Sequence, residues 1–372
     1  MLTPEYIERA PDELIELYLQ AEDDILRDMA KRINNADFYI SSTQWQEKKL
    51  QAMGLTHQEI VKRLSALTHK SNAEIEAIIT DAGAQVLTLD PEIMPAFEGS
   101  VISKAPWVQS LISTGITRTQ GTFKNLTLTT AQTASQQFER ALDRAYMQVS
   151  SGAFAQDKAV MMAIKSLCAN GIEAIEYPSG HVDHMDVAVR RAIRTGLNQT
   201  AGEVSDRFAK EYDYDLVEVS AHAGARPAHA IWQGKVYSRK GKTDKYDDFY
   251  EATGYGTGAG LCGWNCRHSF SAYKEGQTRV YTPEMLKKFN AKDYKYNGKE
   301  MTEYEATQYQ RYIERQIRKY KRESMMTDEV GQDASPAKAK VKEWQQRLTD
   351  FCNQTGLKKS FTRALVPGYG RD

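Results

Sequence analysis

Residues 220–238 read SAHAGARPAHAIWQGKVYS, and residues 254–270 read GYGTGAGLCGWNCRHSF. The stretch from 220 to 270 holds three of the seven histidines, two of the four cysteines and two of the five tryptophans of the chain. Polar, aromatic and metal-capable side chains at this density need a defined surrounding, because buried polar groups are costly unless they are hydrogen-bonded. We therefore expect this stretch to form the centre of a compact domain.

Short strands are expected around the first half of this stretch. The β-branched, alternating residues at 215–220 (DLVEVS) and 231–238 (IWQGKVYS) are typical of strands, and GARPAH between them is expected to be a loop. The glycines at 254–263 favour a loop that needs positive φ or close backbone approach. They are not followed by the G-K-[ST] ending of a phosphate-binding P-loop.

Towards the N-terminus the chain reads as helices. Thr3 before Pro4 is a typical helix start, and the S/T-x-x-E boxes at Thr56 and Ser71 each predict the beginning of a further helix. Prolines at 91, 95 and 106 break this pattern.

Two segments nearer the middle carry specific expectations. The tract GITRTQGTFKNLTLTT at 115–130 alternates enough to allow a hairpin or an extended arm. Tyr177 to Gly180 is predicted to be a turn, followed by one long helix over 181–212 with Asp183 as its N-cap.

These patterns predict a helix-dominated α+β protein with three regions. Residues 1–170 form a helical N-terminal region, residues 171–275 a small central α+β domain with a few short strands, and residues 276–372 a basic helical arm. A helix opening at Thr282, Pro283 and Glu284 begins the structured part of that arm. A last helix is expected to be capped by Ser335 before Pro336 and to stop at Gly356.

Charge is balanced overall but unevenly placed. Lys plus Arg and Asp plus Glu both number 49 in 372 residues, so no bulk attraction to nucleic acid is expected. Residues 1–100 carry 9 basic and 18 acidic side chains, a net charge of −9, whereas residues 286–322 carry 11 basic and 5 acidic ones, a net of +6. This polarity indicates either an oriented molecule that touches different partners at each end, or simply solvated helix faces.

The composition also indicates the cellular environment in which the protein folds. Four scattered cysteines are too few for a disulfide scaffold, which indicates a reducing environment. The first residues show no basic segment followed by an apolar run, and no stretch of about eighteen apolar residues is present, so neither a signal peptide nor a membrane span is expected.

The histidines and cysteines of the central stretch are the candidates for chemistry. Zinc takes Cys and His ligands in tetrahedral sets, and four residues are zinc candidates here: His229, Cys262, Cys266 and His268. Their spacing, with H-x6-H from His222 and then C-x3-C-x-H, is irregular. The interpretation we favour is that His222 and His229 are buried hydrogen-bonding groups and that Cys266 and Trp264 are core packing residues, so no cofactor is expected and zinc is the alternative.

Catalytic arrangements are not indicated. No Ser-His-Asp order and no H-E-x-x-H motif occurs in the sequence, and nothing combines a nucleophile, a base and an oxyanion site. Arg226 could bind a carboxylate or phosphate with both arms of its guanidinium. We favour the other interpretation, in which it holds backbone carbonyls of an irregular loop.

The joined pattern resembles a known family. The segments YPSG, VRRAIRTGLNQT, VEVSAHAGARPAHAIWQGKVYS and GYGTGAGLCGWNCRHSF resemble the phage minor capsid protein 2 family, and more broadly the Mu F-like head morphogenesis proteins. The resemblance covers residues 177–270 most specifically, and His268 stands where a cysteine is frequent in the Mu F-like ending. It implies that the structural motif residues are Arg191, Thr195, His222, Arg226, His229, Trp232, Gly234, Trp264, Asn265, Cys266, Arg267 and His268.

What the resemblance implies is a low-copy virion protein of a tailed phage or prophage, not an enzyme. Such a protein is made in the cytoplasm of the bacterial host and joins the capsid at the portal vertex. There it would contact the portal protein, and the major capsid protein as a further partner, during head assembly and genome packaging or ejection. Residues 286–322 would contact packaged DNA or an acidic protein surface. The alternatives are a metal-dependent nuclease or toxin-like enzyme, and an internal DNA-binding virion protein.

Overall fold

The computed structural model of the chain describes residues 1–88, 101–169, 171–360 and 362–370. Helices dominate it, and a short 3-10 turn follows at Thr362–Ala364. The helices are α1 Pro4–Arg9, α2 Asp12–Asn34, α3 Ser42–Thr88, α4 Pro106–Ser150, α5 Gln156–Cys168, α6 Met185–Glu211, α7 Pro227–Ala230, α8 Phe249–Thr253, α9 Pro283–Phe289, α10 Glu303–Glu329 and α11 Ser335–Thr355. The prediction of a helix-dominated α+β protein is confirmed.

Short antiparallel strands make up small sheets between the helices. The strands are β1 Glu173–Glu176, β2 Val182–His184, β3 Leu216–Val219, β4 Val236–Ser238, β5 Phe270–Ala272, β6 Tyr294–Tyr296 and β7 Lys299–Met301. β1 pairs with β2 and β6 with β7, while β3 is the middle strand of a three-stranded sheet in the order β4-β3-β5. In that sheet Val217 lies opposite both Tyr237 and Ala272.

Contacts between residues divide the chain into two compact units, each built from separate stretches of sequence. The first unit comprises Met1–Asp12, Ser71–Thr122 and Arg190–Gln308, and the second comprises Glu13–Lys70, Phe123–Val189 and Tyr309–Asp372. The sequence-based division into three regions remains a prediction.

The first unit is organised around the sheet of β3, β4 and β5. Ser205 of α6 donates from its hydroxyl to the carbonyl of Phe270 at 3.0 Å, which fixes the helix against β5. The N-terminal residues join this core as well, because the Ser269 hydroxyl donates to the carbonyl of Leu2 at 2.6 Å. Thr3 caps α1 by accepting from the backbone N–H of Tyr6, as predicted.

Two helices of the first unit approach each other closely through glycines. A Cβ on Gly115 of α4 would lie 2.9 Å from Cγ2 of Thr200 on α6, and one on Gly196 of α6 would lie 3.0 Å from Cγ2 of Thr119 on α4. Glycine at both positions removes the side chain that would otherwise separate the helices.

The second unit contains a buried network of charges. Arg322 of α10 forms an ion pair with Glu22 of α2, and Arg318 forms one with Asp186 at 2.7 Å. Glu22 also accepts from the backbone N–H of Ile172 at 2.8 Å. Burial and the neighbouring Glu22 raise the pKa of Asp23 to about 7. The two arginines therefore link α10 to α2 and to the start of α6 in the interior of this unit.

The tract at 115–130 is helical, so the expectation of a hairpin or extended arm was wrong. Its threonines are satisfied inside α4: Thr119 donates to the carbonyl of Gly115 at 2.8 Å and Thr127 to that of Phe123 at 3.1 Å. Phe123 and Leu126 are buried at helical spacing. β-branched residues suggested alternation, but their hydroxyls can return to the carbonyl one turn earlier and so fit a helix.

Three predicted helix starts were also wrong. The boxes at Thr56 and Ser71 do not begin new helices, because α3 runs through both. The expected helix over 181–212 begins only at Met185; Asp183 lies in β2 and accepts a hydrogen bond from the Tyr177 hydroxyl at 3.0 Å instead of capping a helix.

Near the central stretch, some predicted elements are confirmed and others are shorter than predicted. The turn at Tyr177 is confirmed, as is the strand expected at 215–220, which is β3. The strand expected over 231–238 is limited to β4, since Pro227–Ala230 forms the short helix α7 and the chain turns before Val236. Pro106 begins α4, whereas the prolines at 91 and 95 lie outside the described residues.

The predicted start of the helix at Thr282 is confirmed, and the prediction for the last helix is confirmed at its end but not at its start. Thr282 caps α9 as predicted, by accepting from Met285 N–H. α11 ends at Gly356 in the left-handed conformation, as expected, but its N-cap is Ala334 and forms no side-chain cap.

Candidate functional site

Four of the predicted motif residues meet at one place in the first unit. We call His222, His229, Cys266 and His268 the histidine cluster; all four side chains are buried. His222 follows β3, His229 lies on α7, and Cys266 and His268 directly precede β5. The antiparallel pairing of β3 with β5 therefore carries these side chains to the same end of the sheet.

Three ligand-type atoms of the cluster converge. His229 Nδ1 lies 3.4 Å from His268 Nδ1, and Cys266 Sγ lies 3.7 Å from each of those nitrogens. The outer nitrogens of the two rings face oxygen atoms: His229 Nε2 is 3.0 Å from the carbonyl of Ala259, and His268 Nε2 is 3.0 Å from Gln233 Oε1.

Aromatic contacts hold the rings in place. His222 stacks on His268 with 4.5 Å between ring centroids, and Trp232 lies 4.5 Å from the ring of His229. The backbone N–H of His222 donates to Gln233 Oε1 at 3.0 Å, and its Nδ1 faces the carbonyl of Ala223 at 2.7 Å. The rings have little freedom to reorient.

A tightly folded loop over residues 254–266, which we call the glycine loop, brings Cys266 to the two histidines. Gly254 and Gly256 have positive φ, and a Cβ on Gly260 would overlap the carbonyl oxygen of Gly254. Close backbone approach and positive φ were the reasons predicted for these glycines, and both are confirmed. Cys262 and Asn265 also have positive φ, 58° and 52°, so the chain turns sharply on both sides of Trp264. These turns leave the Trp264 side chain exposed, so the expectation that it packs in the core was wrong.

Two arginines converge on one carboxylate next to the cluster. Arg194 of α6 binds Glu8 Oε1 at 2.8 Å and the Glu8 carbonyl at 2.9 Å, while Arg267 binds Glu8 Oε2 at 3.1 Å. Arg194 also donates to Asn265 Oδ1 at 3.2 Å, and Arg267 to the carbonyl of Gly224 at 3.0 Å. This network ties the glycine loop, α6 and the N-terminal helix α1 to one another.

Other predicted motif residues have structural roles. Arg226 donates to the carbonyl of Trp264 at 2.9 Å, which agrees with the interpretation we favoured for it. The hydroxyl of Thr195 accepts from the backbone N–H of Asn265 at 3.1 Å. Gly234 has a φ of 66°, and a Cβ there would collide with the side chain of Leu286.

Burial controls the electrostatics of the cluster. Burial and Arg267 lower the pKa of His222 to about 3, and burial and Arg226 lower that of His229 to about 4. Burial, followed by the other two histidines, holds the pKa of His268 well below its usual range. Burial also raises the pKa of the Cys266 thiol. The cluster is thus built for neutral imidazole rings at neutral pH.

Nearly the whole chain matches a known protein family. The model of the family described as phage minor capsid protein 2 matches residues 2–353, nearly the whole chain. The chain belongs to the phage minor capsid protein 2 family. It is therefore a phage structural protein, as the resemblance implied.

Curated relatives agree with membership of the minor capsid protein 2 family. The chain is 27% identical over 225 residues to a protein named structural protein from Lactococcus phage LL-H, a match that spans 58% of each chain. It is 33% identical over 125 residues to a structural protein of Lactococcus phage mv4, across 33% of this chain and 93% of the relative. No solved structure matches this chain. Along its described residues, this minor capsid protein has no helix both long and apolar enough to cross a membrane.

Several site residues of this minor capsid protein were missed from its sequence. The family resemblance drew attention to Arg191, but the arginine that is buried in the network is Arg194. Asn198 donates to the carbonyls of Cys266 and His268 at 3.2 and 2.8 Å. Since Arg194 and Asn198 lie one turn apart on the same face of α6, helical spacing within RRAIRTGLNQT could have revealed both. Glu8 gave no local signal, because its partners are distant in sequence.

Proposed function

We propose that this protein is a portal-associated minor capsid protein that acts in head assembly and in genome packaging or ejection. The observation that carries the proposal is the family match over residues 2–353. The relatives from phages LL-H and mv4 are both named structural proteins, which supports a role in the particle. The main partner is the portal protein of the same phage, with the major capsid protein as a second contact.

An exposed tryptophan on the glycine loop supports a docking role. The Trp264 side chain is 62% exposed, yet its backbone is fixed at both ends: its N–H donates to the Gly258 carbonyl at 2.7 Å and its carbonyl accepts from Arg226. A large apolar ring held rigidly in solvent is typical of a residue that anchors a protein interface. We infer that Trp264 contacts the portal protein.

The test is co-expression with the portal protein from the same genome, followed by affinity purification of the portal. We expect the chain to co-purify in a fixed ratio, and the Trp264→Ala variant to lose on the order of 10-fold or more of its affinity. Tyr39→Ala is the matched control, because Tyr39 is 73% exposed but lies outside the glycine loop. Failure of the wild-type chain to bind would contradict the portal assignment, and equal losses in the two variants would contradict the role of Trp264.

We also infer that the protein is not an enzyme. His222, His229 and His268, on which a nuclease or toxin-like activity would depend, are buried by the aromatic and backbone contacts described above. His222 lines a pocket at the surface, but a substrate would have to displace that packing to reach His229 or His268. Incubation of the purified chain with DNA and RNA in the presence of Mg²⁺, Mn²⁺ or Zn²⁺ should give no cleavage. Cleavage that disappears in a folded His222→Ala variant would establish the enzymatic alternative.

A DNA-binding role is the second candidate, favoured by one observation. Lysines near α9 and the β6–β7 hairpin are exposed, namely Lys287, Lys288, Lys292, Lys295 and Lys299. Arg318 and Arg322 contribute to the basic sequence of residues 286–322, but they are buried in ion pairs with acidic side chains. Binding to duplex DNA through the lysines would weaken steeply with added salt. Binding that is absent at low salt would exclude this role.

A further inference from the structure

The two inner nitrogens of the histidine cluster both carry lone pairs. A backbone carbonyl only accepts hydrogen bonds, so the contact with Ala259 requires a proton on His229 Nε2. The Gln233 atom that faces His268 also accepts from the backbone N–H of His222, which identifies it as the oxygen and requires a proton on His268 Nε2. In neutral rings, Nδ1 of both histidines is then unprotonated.

These two lone pairs point into the same small space. His229 Nδ1 and His268 Nδ1 are 3.4 Å apart with no proton to share, and the sulfur of Cys266 closes the third side at 3.7 Å from each. A neutral Cys266 thiol has one proton and can donate it to only one of the two nitrogens, so two unshared lone pairs still face each other unless a cation lies between them. Packing alone, the interpretation we favoured from the sequence, does not account for this convergence.

The separations match those of a tetrahedral zinc site. Zn–N bonds of about 2.05 Å and Zn–S bonds of about 2.3 Å, at tetrahedral angles, place two nitrogen ligands about 3.4 Å apart and a nitrogen and a sulfur about 3.6 Å apart. The observed distances are 3.4 and 3.7 Å. An ion at normal bond lengths therefore fits among the three atoms without movement of the backbone.

The surroundings are those of metal ligands. Each histidine donates its outer N–H to an oxygen, the arrangement that orients ligating imidazoles and fixes their tautomer. The backbone N–H of His268 donates to Cys266 Sγ at 3.3 Å, which stabilises a thiolate. Cys262 lies outside this set, since the ligand atoms that converge among the described residues are those of His229, Cys266 and His268.

We propose that His229 Nδ1, His268 Nδ1 and Cys266 Sγ bind one Zn²⁺ ion, with a non-protein ligand such as water in the fourth position. The ion links α7 to the segment before β5 and thereby fixes the loop that carries Trp264. Because all three protein ligands are buried, we assign the ion a structural role even with water in the fourth position, and this assignment does not depend on the portal contact.

The test is metal analysis of the full chain, purified without chelators or metal-affinity resins. We expect about one zinc per chain. We also expect Co²⁺ reconstitution to give the intense visible bands of a four-coordinate site together with a thiolate-to-metal charge-transfer band. Cys266→Ser should abolish the charge-transfer band and weaken zinc binding on the order of 100-fold or more. Cys262→Ser, a buried cysteine in the same loop, is the matched control and should retain both.

If Cys266→Ser does not fold, the zinc content and the Co²⁺ spectrum of the wild-type chain still test the site. A folded wild-type chain that contains no zinc, and shows no charge-transfer band with Co²⁺, would overturn the proposal. Equal loss of metal in the Cys262→Ser control, or a charge-transfer band that survives in Cys266→Ser, would overturn the ligand assignment. Portal binding by the wild-type chain is scored separately, so failure of one proposal is distinguishable from failure of the other.

Discussion

Replacement of Glu8 by glutamine tests how the glycine loop is held to the rest of the first unit. The Glu8 carboxylate lies between Arg194 at 2.8 Å and Arg267 at 3.1 Å. A glutamine side chain at this position would keep the size of the native one but remove its charge. Arg194, which is 3% exposed at its side chain, would then be buried without its ion-pair partner.

The expected magnitude follows from this geometry. Two unit charges about 2.8 Å apart in a medium of effective dielectric constant about 20 attract by about 6 kcal/mol before desolvation is counted. Removal of one partner from a buried ion pair costs about 3–5 kcal/mol. The Glu8 side chain is 28% exposed, and Arg194 keeps its bonds to the carbonyl of residue 8 and to Asn265. We therefore expect Glu8→Gln to lower the free energy of unfolding by about 2–3 kcal/mol.

The assay is urea unfolding followed by tryptophan fluorescence, with Glu5→Gln as the control. Glu5 lies on the same helix and is exposed, so its replacement should change the free energy of unfolding by less than about 0.5 kcal/mol. A loss below about 1 kcal/mol in Glu8→Gln, or equal losses in the two variants, would refute the view that this network holds the loop.

Three further outcomes are expected. Burial depresses the pKa of His222 from its ordinary value of about 6.5 to about 3, so the fold holds this ring neutral. Its contribution to the free energy of unfolding is therefore complete above about pH 6.5 and declines as the pH falls below that value. For this group, wild-type stability at pH 5 should be about 2 kcal/mol lower than at pH 7.5, and His222→Gln should lose that dependence in urea titrations. Burial raises the pKa of Asp23 from its ordinary value of about 3.8 to about 7, so wild-type stability should fall as the pH rises from about 4 to about 7 and stay low above that. Asp23→Asn removes this penalty and should gain about 4 kcal/mol at pH 8, and an unchanged urea midpoint would count against it. Gly260→Ala, where a Cβ meets backbone, should cost more than about 3 kcal/mol, whereas Gly256→Ala has open space and only a positive φ to strain, about 1 kcal/mol; equal costs would contradict the account of the loop.

Much of the site was predictable because its residues are unusual in type and close in sequence. His222, His229, Cys266 and His268 all fall within 220–270, and the structure brings them together. What the sequence did not show was their geometry. The C-x3-C-x-H spacing suggested Cys262 as a ligand, whereas positive φ at Cys262 and Asn265 directs the chain so that Cys266, and not Cys262, joins the two histidines.

The helical errors have a common physical origin. Threonine-rich sequence at 115–130 favours strands by local propensity, but burial of Phe123 and Leu126 along one helix face overrides it. Likewise, α3 continues through the boxes at Thr56 and Ser71 because tertiary packing, with Ile60 and Ile75 both buried, outweighs a local start signal. Long-range partners such as Glu8 for Arg194 leave no trace in local patterns.

A reconstruction of the portal vertex from particles of the phage or induced prophage that encodes this chain tests the central claim most directly. The account predicts density for this minor capsid protein against the portal, with the segment that carries Trp264 at the contact. A well-resolved portal vertex without it, in particles that peptide mass spectrometry shows to lack the chain, would contradict the proposed function.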